Sequence, residues 1–209
     1  MDSAQKISNC IQASARDVGL VEPTSEQAKS IIGLGLGEAM QQLFPTANDA
    51  QLSAMVGAYK HHFVTADNTE QKLFDGVVAG LTALESAGAI LAVATGKSRA
   101  GLDRAFSALD LKHHFVTSRC ADETRSKPHP QMLNEILDFT AIAPHKAIMI
   151  GDTTFDLDMA ANANMAGLGA GYGVHSEQML LDSKALSVEK SFNDVVSWLL
   201  DGRVEKAYA

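Results

Sequence analysis

Three absences narrow the class of protein to which this 209-residue chain can belong. Only two cysteines occur, Cys10 and Cys120, and they form neither a CxxC pair nor a zinc-type spacing, so we expect reduced thiols in a cytoplasmic protein. No apolar run approaches the roughly 20 residues that cross a bilayer, and the start lacks the basic-then-apolar order of a signal peptide. The net charge of −8 offers no basic surface, which argues against nucleic acid as a partner but allows a small anionic ligand in a local pocket.

Residues 1–72 carry the pattern of helices. Apolar side chains recur near helical spacing, as at Ile7, Ile11 and Val18, and Asn48 is placed to cap a further helix. No segment in this region predicts a strand. Hydrophobic residues make up 46% of the whole chain, which is enough for a sizeable core, and we expect a small helical domain here.

Residues 73–209 carry a different pattern, in which short apolar runs alternate with helical segments. The runs of strand length fall at residues 89–94, 115–118, 146–150 and 167–170. Strands that alternate with helices predict a parallel sheet with helices on both faces, so the expected fold class is α/β and Rossmann-like. In such sheets ligands bind beyond the carboxyl ends of the strands, so the residues after each run are the candidates for a site.

The first run is followed by Thr95-Gly96-Lys97-Ser98. The hydroxyl of Thr95, the flexible backbone at Gly96 and the N-terminus of the next helix would together suit a phosphate group. An ordinary strand-to-helix turn with Ser98 as the helix cap explains the same residues. A P-loop does not, because that motif needs a glycine where Leu91 stands.

The second run is followed by Lys127, which stands before Pro128 in a loop that two prolines stiffen. A lysine held at the edge of the sheet could neutralise an anionic substrate. Taken alone, the segment is better explained by a solvated lysine before a helix that begins at Pro130.

The third run leads directly into the segment GDTTFDLDMA, residues 151–160. Asp152 follows the strand, and Asp156 lies near the first turn of the next helix, where the helix dipole favours a negative charge. Two aspartates that complement the dipole would be an ordinary arrangement. One or two carboxylates at a strand end are also enough for magnesium, so we predict Asp152 and Asp156 as a metal site and Asp158 as surface charge.

Taken together, these strand ends resemble the haloacid dehalogenase (HAD) superfamily of phosphohydrolases, in particular subfamily I with a helical cap and its phosphoglycolate-phosphatase-like branch. The family's threonine at a strand end is matched by Thr95 in AVATGKS, its lysine before proline by Lys127 in SKPHP, and its GDTxxD motif by residues 151–156. The resemblance covers nearly the whole chain. It identifies residues 1–72 as the inserted cap domain, with GLGLGEAM at the cap loop that faces the substrate in the family, and residues 73–209 as the HAD-like core.

The resemblance implies a Mg²⁺-dependent phosphatase that hydrolyses a small phosphate monoester, such as phosphoglycolate, through an aspartyl-phosphate. It implies that Thr95, Gly96 and Lys127 bind the substrate. Thr95 and Lys127 would also have the catalytic role of stabilising charge on the phosphate oxygens, and Asp152 and Asp156 would hold the metal. Phosphosugar mutases and 2-haloacid dehalogenases fit less well, because their fourth motif departs from GDTxxD.

One family motif has no match in the chain. The family's first strand ends in an apolar-DxDGT segment that supplies the nucleophile and the acid–base aspartate, whereas this chain begins with MDS and its only DxD spans residues 156–158. We therefore expect a truncated form of a working phosphatase that is itself inactive, with unpaired strand edges where the first strand would lie. The alternative is a catalytically silent protein that binds a phosphate ligand or a partner.

The histidines and the glycine-rich segment carry weaker signals. The side chains in the adjacent pairs His61-His62 and His113-His114 point in different directions, which predicts solvated or helix-end histidines rather than a metal site. His175, past the last of these runs, could line the rim of the site. The segment GLGLG lacks the spacing of the dinucleotide-binding GxGxxG motif, and no predicted strand precedes it, which argues against that function.

Overall fold

The chain folds as two compact units, described in a computed structural model that covers residues 1–67, 69 and 72–202. The first unit is Met1–Leu73, and the second begins at Phe74. The sequence places the division after residue 72. Within the described ranges, every helix is too short or too polar to cross a bilayer.

The first unit is built from helices. They are α1 (Ala4–Val18), α2 (Ser25–Ser30), α3 (Leu36–Leu43) and α4 (Asp49–His61), and α4 continues into a π-helical turn at His62–Ala66. Asn48 caps α4 through a reciprocal pair of bonds with Gln51, in which each side chain accepts the backbone N–H of the other residue. Helix α1 contacts both α2 and α4, and its Ile11 is buried in the core.

The second unit alternates helices with parallel strands. Its elements in chain order are α5 (Val77–Ser86), β1 (Ala92–Thr95), α6 (Arg99–Leu109), β2 (Thr117–Cys120), α7 (Gln131–Thr140), β3 (Ile148–Gly151), α8 (Thr154–Asn162), β4 (Ala166–Ala170), α9 (Glu177–Asp182), β5 (Val188–Glu189) and α10 (Phe192–Leu200). Short 3-10 turns at Lys112–His114 and Pro144–Lys146 precede β2 and β3. The α/β class with parallel strands that the sequence predicts is confirmed.

Local side-chain bonds cap the starts of several helices, whereas the positions of the strands depend on partners distant in the chain. Ser98 caps α6 by accepting the backbone N–H of Gly101, as predicted. Strand β2 begins later than predicted, at Thr117, because the backbone N–H of Phe115 still closes the preceding 3-10 turn by donating to the carbonyl of Lys112 at 3.2 Å. The ring of Phe115 stacks on Phe106 of α6 with centroids 5.5 Å apart. The sequence did not indicate α9 or β5, which are too short to carry a periodic pattern.

The strands of the second unit form two separate sheets rather than one. β1 pairs with β2, and β3, β4 and β5 pair in that order. Within the described residues neither β1 nor β3 has a second partner, and we call their unpaired sides the open edges. The apolar residues of both strands are only half-buried, although strands of a parallel sheet are normally buried on both faces.

The two strands with open edges, β1 and β3, contact one common part of the core. Ala94 of β1 and Met149 of β3 both pack against a single cluster of buried residues. The members of this cluster are Met132, Leu133, Met159, Ala160 and Ala163. The two sheets are therefore held in one unit by the helices that cover them rather than by hydrogen bonds between β1 and β3.

Both cysteines are free and buried, and each unit contains one of them. Burial raises the pKa of the Cys10 thiol and of the Cys120 thiol to about 11. Of the two expectations for the histidine pairs, His114 fits a helix-end position, as the last residue of a 3-10 turn, and it is not solvated: it is buried with its Nδ1 2.6 Å from a carboxylate oxygen of Glu85. That partner lies 29 residues away in the chain, so no local pattern could indicate it.

The turn after β2 is held by an ion pair between Arg99 and Glu123. Two guanidinium nitrogens donate to the two carboxylate oxygens at 2.8 Å each, and Glu123 also accepts the backbone N–H of Cys120 at 3.0 Å. The bond from Arg99 lowers the pKa of Glu123 from 4.5 to about 2. The carboxylate therefore stabilises the folded state fully above pH 4.5 and loses that contribution as the pH falls toward 2.

Replacing Glu123 by Gln is expected to lower the free energy of unfolding by about 1 kcal/mol at pH 7, less than the full pKa shift implies because both side chains are partly exposed. The difference between variant and wild type should shrink as the pH falls from 4.5 toward 2. Urea unfolding followed by the fluorescence of Trp198, the only tryptophan, measures it. A difference that stays constant over this range would contradict the assigned ion pair.

Candidate active site

The turn between β3 and α8 is closed by Asp156. Oδ2 of Asp156 accepts the backbone N–H of Thr153 at 3.2 Å and the Thr153 hydroxyl at 2.8 Å. Gly151 is needed at the end of the strand, because a Cβ there would lie 2.6 Å from Cγ of Asp156 and would overlap its Cβ. The end of β3, the turn that follows it and the first turn of α8 are therefore closely packed.

Lys127 lies in the loop between β2 and α7, and its side chain is only 6% exposed. Its Nζ lies 2.5 Å from Oδ1 of Asp156, whose side chain is 5% exposed. The explanation of this segment by a solvated lysine is therefore wrong. Because Lys127 uses one oxygen of Asp156 and Thr153 uses the other, a fixed ammonium group stands near the carboxyl end of β3.

Asp152 is the carboxylate that directly follows β3. Its Oδ2 accepts the backbone N–H of Val174 at 3.2 Å, and its carbonyl accepts the backbone N–H of His175 at 3.0 Å. Burial raises the pKa of Asp152, the negative charge of Asp156 raises it further, and the charge of Lys127 lowers it. A cation beside Asp152 would favour its ionised form, because the opposite charge would offset the cost of burying the carboxylate next to Asp156.

The donor set fits Mg²⁺ better than a transition metal. Within the described ranges, no three His, Cys, Asp or Glu side chains are grouped so that they could hold an ion by themselves. Mg²⁺ needs only one or two protein carboxylates, since it keeps several of its waters. Asp152 suits the role of ligand, whereas Asp156 has one oxygen on Lys127 and the other on Thr153 and suits the role of support. Asp158 is half-buried on α8 rather than a surface charge.

Thr95 is the last residue of β1, and Gly96 follows it. Oγ1 of Thr95 accepts the backbone N–H of Lys97 at 3.1 Å, so the segment forms a capped turn and presents a hydroxyl at the strand end. The structure brings Lys127, Asp152 and Asp156 together through direct contacts and charges. Thr95 is in the other sheet, at the end of β1, whose Ala94 packs against the same buried cluster as Met149 of β3.

The segment after β4 has a larger part in this site than the sequence indicates. The prediction that His175 could line the rim is wrong, since the residue is 6% exposed and lies against the turn after β3. Its Nδ1 accepts the backbone N–H of Thr154 at 3.0 Å, across 21 residues of chain. The only signal in the sequence was the position of His175 after a predicted strand.

The sequence profile of the haloacid dehalogenase-like hydrolases matches residues 1–170 of the chain. "Probable phosphatase IndB" of Dickeya dadantii (strain 3937) is 30% identical over 200 residues, which are 94% of this chain and 87% of that protein. Phosphoglycolate phosphatase of Xylella fastidiosa (strain 9a5c) is 26% identical over 184 residues, which are 85% of this chain and 78% of that protein.

A solved structure has the same architecture. The crystal structure of a predicted phosphatase from Clostridium acetobutylicum matches with a TM-score of 0.85 and 22% identity, over 96% of this chain and 93% of that one. At this level of identity the likeness concerns the fold alone, and it agrees with the α/β class derived from the sequence.

Proposed function

We propose, because the chain belongs to the haloacid dehalogenase-like hydrolases, that it functions as a Mg²⁺-dependent phosphatase for a small phosphate monoester. The relatives described above are named as phosphatases, and one is a phosphoglycolate phosphatase, so phosphoglycolate is a candidate substrate. The observation that carries the proposal is the buried ion pair of Lys127 and Asp156 beside Asp152 at the end of β3.

Lys127 and Thr95 have the charge and the hydrogen-bonding groups that a phosphate requires. The ammonium group of Lys127 has three donors, of which Asp156 takes one, so it could also bind a phosphate oxygen. The hydroxyl of Thr95 and the backbone of Gly96 would bind further oxygens from the end of β1. In this arrangement both side chains stabilise the charge that develops on the phosphate as its ester bond breaks.

Asp152, supported by Asp156, is the proposed site of Mg²⁺. When bound, the ion would supply positive charge that polarises and orients the phosphate. The support is the donor chemistry, since a carboxylate whose pKa is raised by burial and by a second carboxylate favours a cation beside it. Asp156 would act there through the groups that it holds, Lys127 and Thr153.

The open edges support the proposal that a further strand carries the nucleophile. An extended apolar segment placed between β1 and β3 could pair with both strands and cover the cluster that they share. The first aspartate of DxDGT on that segment would attack phosphorus, and the bond to the alcohol oxygen would break as the second aspartate gives that oxygen a proton. Water, losing a proton to the second aspartate, would then hydrolyse the aspartyl-phosphate. We therefore propose that the 209-residue chain alone does not turn over substrate.

A phosphatase assay with Mg²⁺ on two forms of the protein tests the proposal. One form is the 209-residue chain, and the other is extended upstream by an apolar-DxDGT segment. With phosphoglycolate and p-nitrophenyl phosphate as substrates, we expect turnover only in the extended form, and we expect EDTA to abolish it. The matched control carries the same extension with the first aspartate of DxDGT replaced by asparagine.

Three results would argue against parts of this proposal. If both forms are silent on a panel of phosphate monoesters, the protein is a binding protein rather than a phosphatase. If both forms are equally active, the nucleophile does not lie on an added strand. If EDTA has no effect, the reaction does not depend on a divalent cation.

Thr95→Ala in the extended form is expected to lower kcat about 100-fold, with a smaller effect on KM, because a donor to the developing charge is lost. Thr95→Ser keeps the hydroxyl and should keep most of the activity. Steady-state kinetics of the two variants beside the wild type provide the measurement. A wild-type kcat in Thr95→Ala would show that the hydroxyl has no such role.

We also propose the cytoplasm as the compartment in which the protein acts. Its two cysteines are free thiols rather than a disulfide, which suits a reducing environment. The proposed partner is a small phosphorylated metabolite. A net charge of −8 makes the binding of nucleic acid over a broad surface unfavourable.

A further inference from the structure

The turn after β3 is held from one side by residues 173–175, which follow β4 and which we call the clamp segment. Three hydrogen bonds join the clamp segment to the turn after β3. The Val174 N–H donates to Oδ2 of Asp152 at 3.2 Å, and the His175 N–H donates to the carbonyl of Asp152 at 3.0 Å. The third runs the other way, from the Thr154 N–H to Nδ1 of His175 at 3.0 Å. Asp152 is thus fixed through both its side chain and its backbone.

Gly173 allows the clamp segment to come this close. A Cβ at position 173 would lie 2.6 Å from Cγ of Asp152 and would overlap its Cβ and Oδ2. Any larger residue would have to displace the carboxylate. The place of the Asp152 side chain is therefore set by the backbone of the clamp segment as well as by the end of β3.

His175 makes its contact from inside the protein. It is 6% exposed, and its ring centroid lies 5.9 Å from that of Phe155. A backbone N–H can only donate, so Nδ1 of His175 accepts the bond from Thr154 and carries no proton in this arrangement. Thr154 is the first residue of α8, and its N–H is one of those that have no partner within the helix. The imidazole thereby anchors the start of the helix.

We infer that His175 is a positioning residue, which holds the backbone at Asp152 and Thr154 in the geometry that Mg²⁺ binding at Asp152 requires. The inference rests on the proposed function, because it concerns the same metal site. His175 acts through the turn and not as a ligand of the ion. Groups that orient a metal ligand in this way typically change metal affinity 10–100-fold when they are removed.

Two substitutions separate the hydrogen-bond acceptor from the volume of the ring. His175→Asn places a carbonyl oxygen near the position of Nδ1, whereas His175→Leu fills the space without an acceptor. Titration of the 209-residue chain with Mn²⁺, followed by the EPR signal of the free ion, gives the affinity, and competition with Mg²⁺ gives the affinity for that ion. We expect His175→Leu to weaken binding about 10–100-fold and His175→Asn to keep most of it.

Amide hydrogen exchange at Thr154 tests the clamp segment without any metal. Its N–H is bonded to His175, so it should exchange slowly in the wild type and in His175→Asn, and faster in His175→Leu. If the ring had only a structural role, His175→Leu would lower the stability of the whole unit. It would not specifically speed the exchange of the Thr154 amide or weaken the binding of metal.

The outcomes separate this inference from the proposed function. If the wild type binds Mn²⁺, and His175→Leu binds it equally with Thr154 equally protected, the inference is overturned and the metal site stands. If the wild type binds no Mn²⁺, the metal site is overturned together with the role in metal binding, and the exchange of Thr154 alone decides whether His175 anchors the turn. If His175→Leu does not fold, as judged by Trp198 fluorescence, a folded His175→Asn that binds weakly overturns the inference, and one that binds tightly supports it.

Discussion

Replacing Lys127 by Met is expected to lower the free energy of unfolding of the second unit by about 3–5 kcal/mol. The change keeps much of the side-chain volume but removes the ammonium group 2.5 Å from Asp156, a carboxylate that is 5% exposed. The bonds that Asp156 accepts from Thr153 come from neutral groups and do not replace the lost cation. Urea unfolding followed by Trp198 reports on this unit, because that residue is the only tryptophan and lies in α10.

Two further variants make this measurement specific. Lys112→Met is the matched control, since Lys112 is an exposed lysine of the same unit, and we expect a change within about 0.5 kcal/mol. The double variant Lys127→Met/Asp156→Asn should regain part of the loss, because asparagine removes the unpaired buried charge while its amide oxygen can still accept the bonds from Thr153. A loss below about 1 kcal/mol in the single variant would show that the pair is hydrated in solution.

Gly151→Ala should destabilise the second unit by about 3 kcal/mol. The added Cβ would lie 2.6 Å from Cγ of Asp156 and would overlap its Cβ. Asp156 cannot move aside without breaking its bonds to Lys127 and Thr153, so the strain reaches the ion pair itself. Thermal unfolding followed by circular dichroism should show a lower Tm.

Gly57→Ala is the control for this substitution. Gly57 lies inside α4, and nothing lies within 4 Å of a Cβ built there. Alanine at that position is expected to stabilise its helix by about 0.5–1 kcal/mol, because glycine in a helix interior costs conformational entropy. If Gly151→Ala instead melted at the wild-type temperature, the close packing of the strand end on Asp156 would be refuted.

The helices could be predicted better than the strands, and the reason is the reach of the interactions. A cap joins residues three positions apart, so Asn48 and Ser98 could be identified from their immediate neighbours. The position of a strand depends on distant partners, and β2 starts at Thr117, opposite Ala92 of β1, whereas Phe115 still closes the preceding 3-10 turn. The apolar runs in the sequence were enough to locate β1 and β3. That these strands belong to two different sheets could not be predicted, because it depends on which strands pair with each other.

Within the site, the sequence indicated which residues matter but not what they touch. Because ligands bind at strand ends, Lys127, Asp152 and Asp156 were candidates from the start. The ion pair between Lys127 and Asp156 could not be predicted, because the two residues are 29 positions apart in the chain. A local pattern also cannot distinguish a buried lysine from a solvated one. The same limit hid His175, whose partner in the turn after β3 is 21 residues earlier.

Cys10 and Cys120 are natural reporters of how often each unit opens, because each unit contains one of these two buried cysteines. An alkylating reagent reacts with the thiolate form of a cysteine. Both thiols are buried and have a pKa of about 11, so in the folded unit they are mostly protonated and shielded from the reagent. The labelling rate of each cysteine therefore measures how often its own unit opens. Mass spectrometry that resolves the two labelled peptides would measure both labelling rates in a single sample, without any engineered probe.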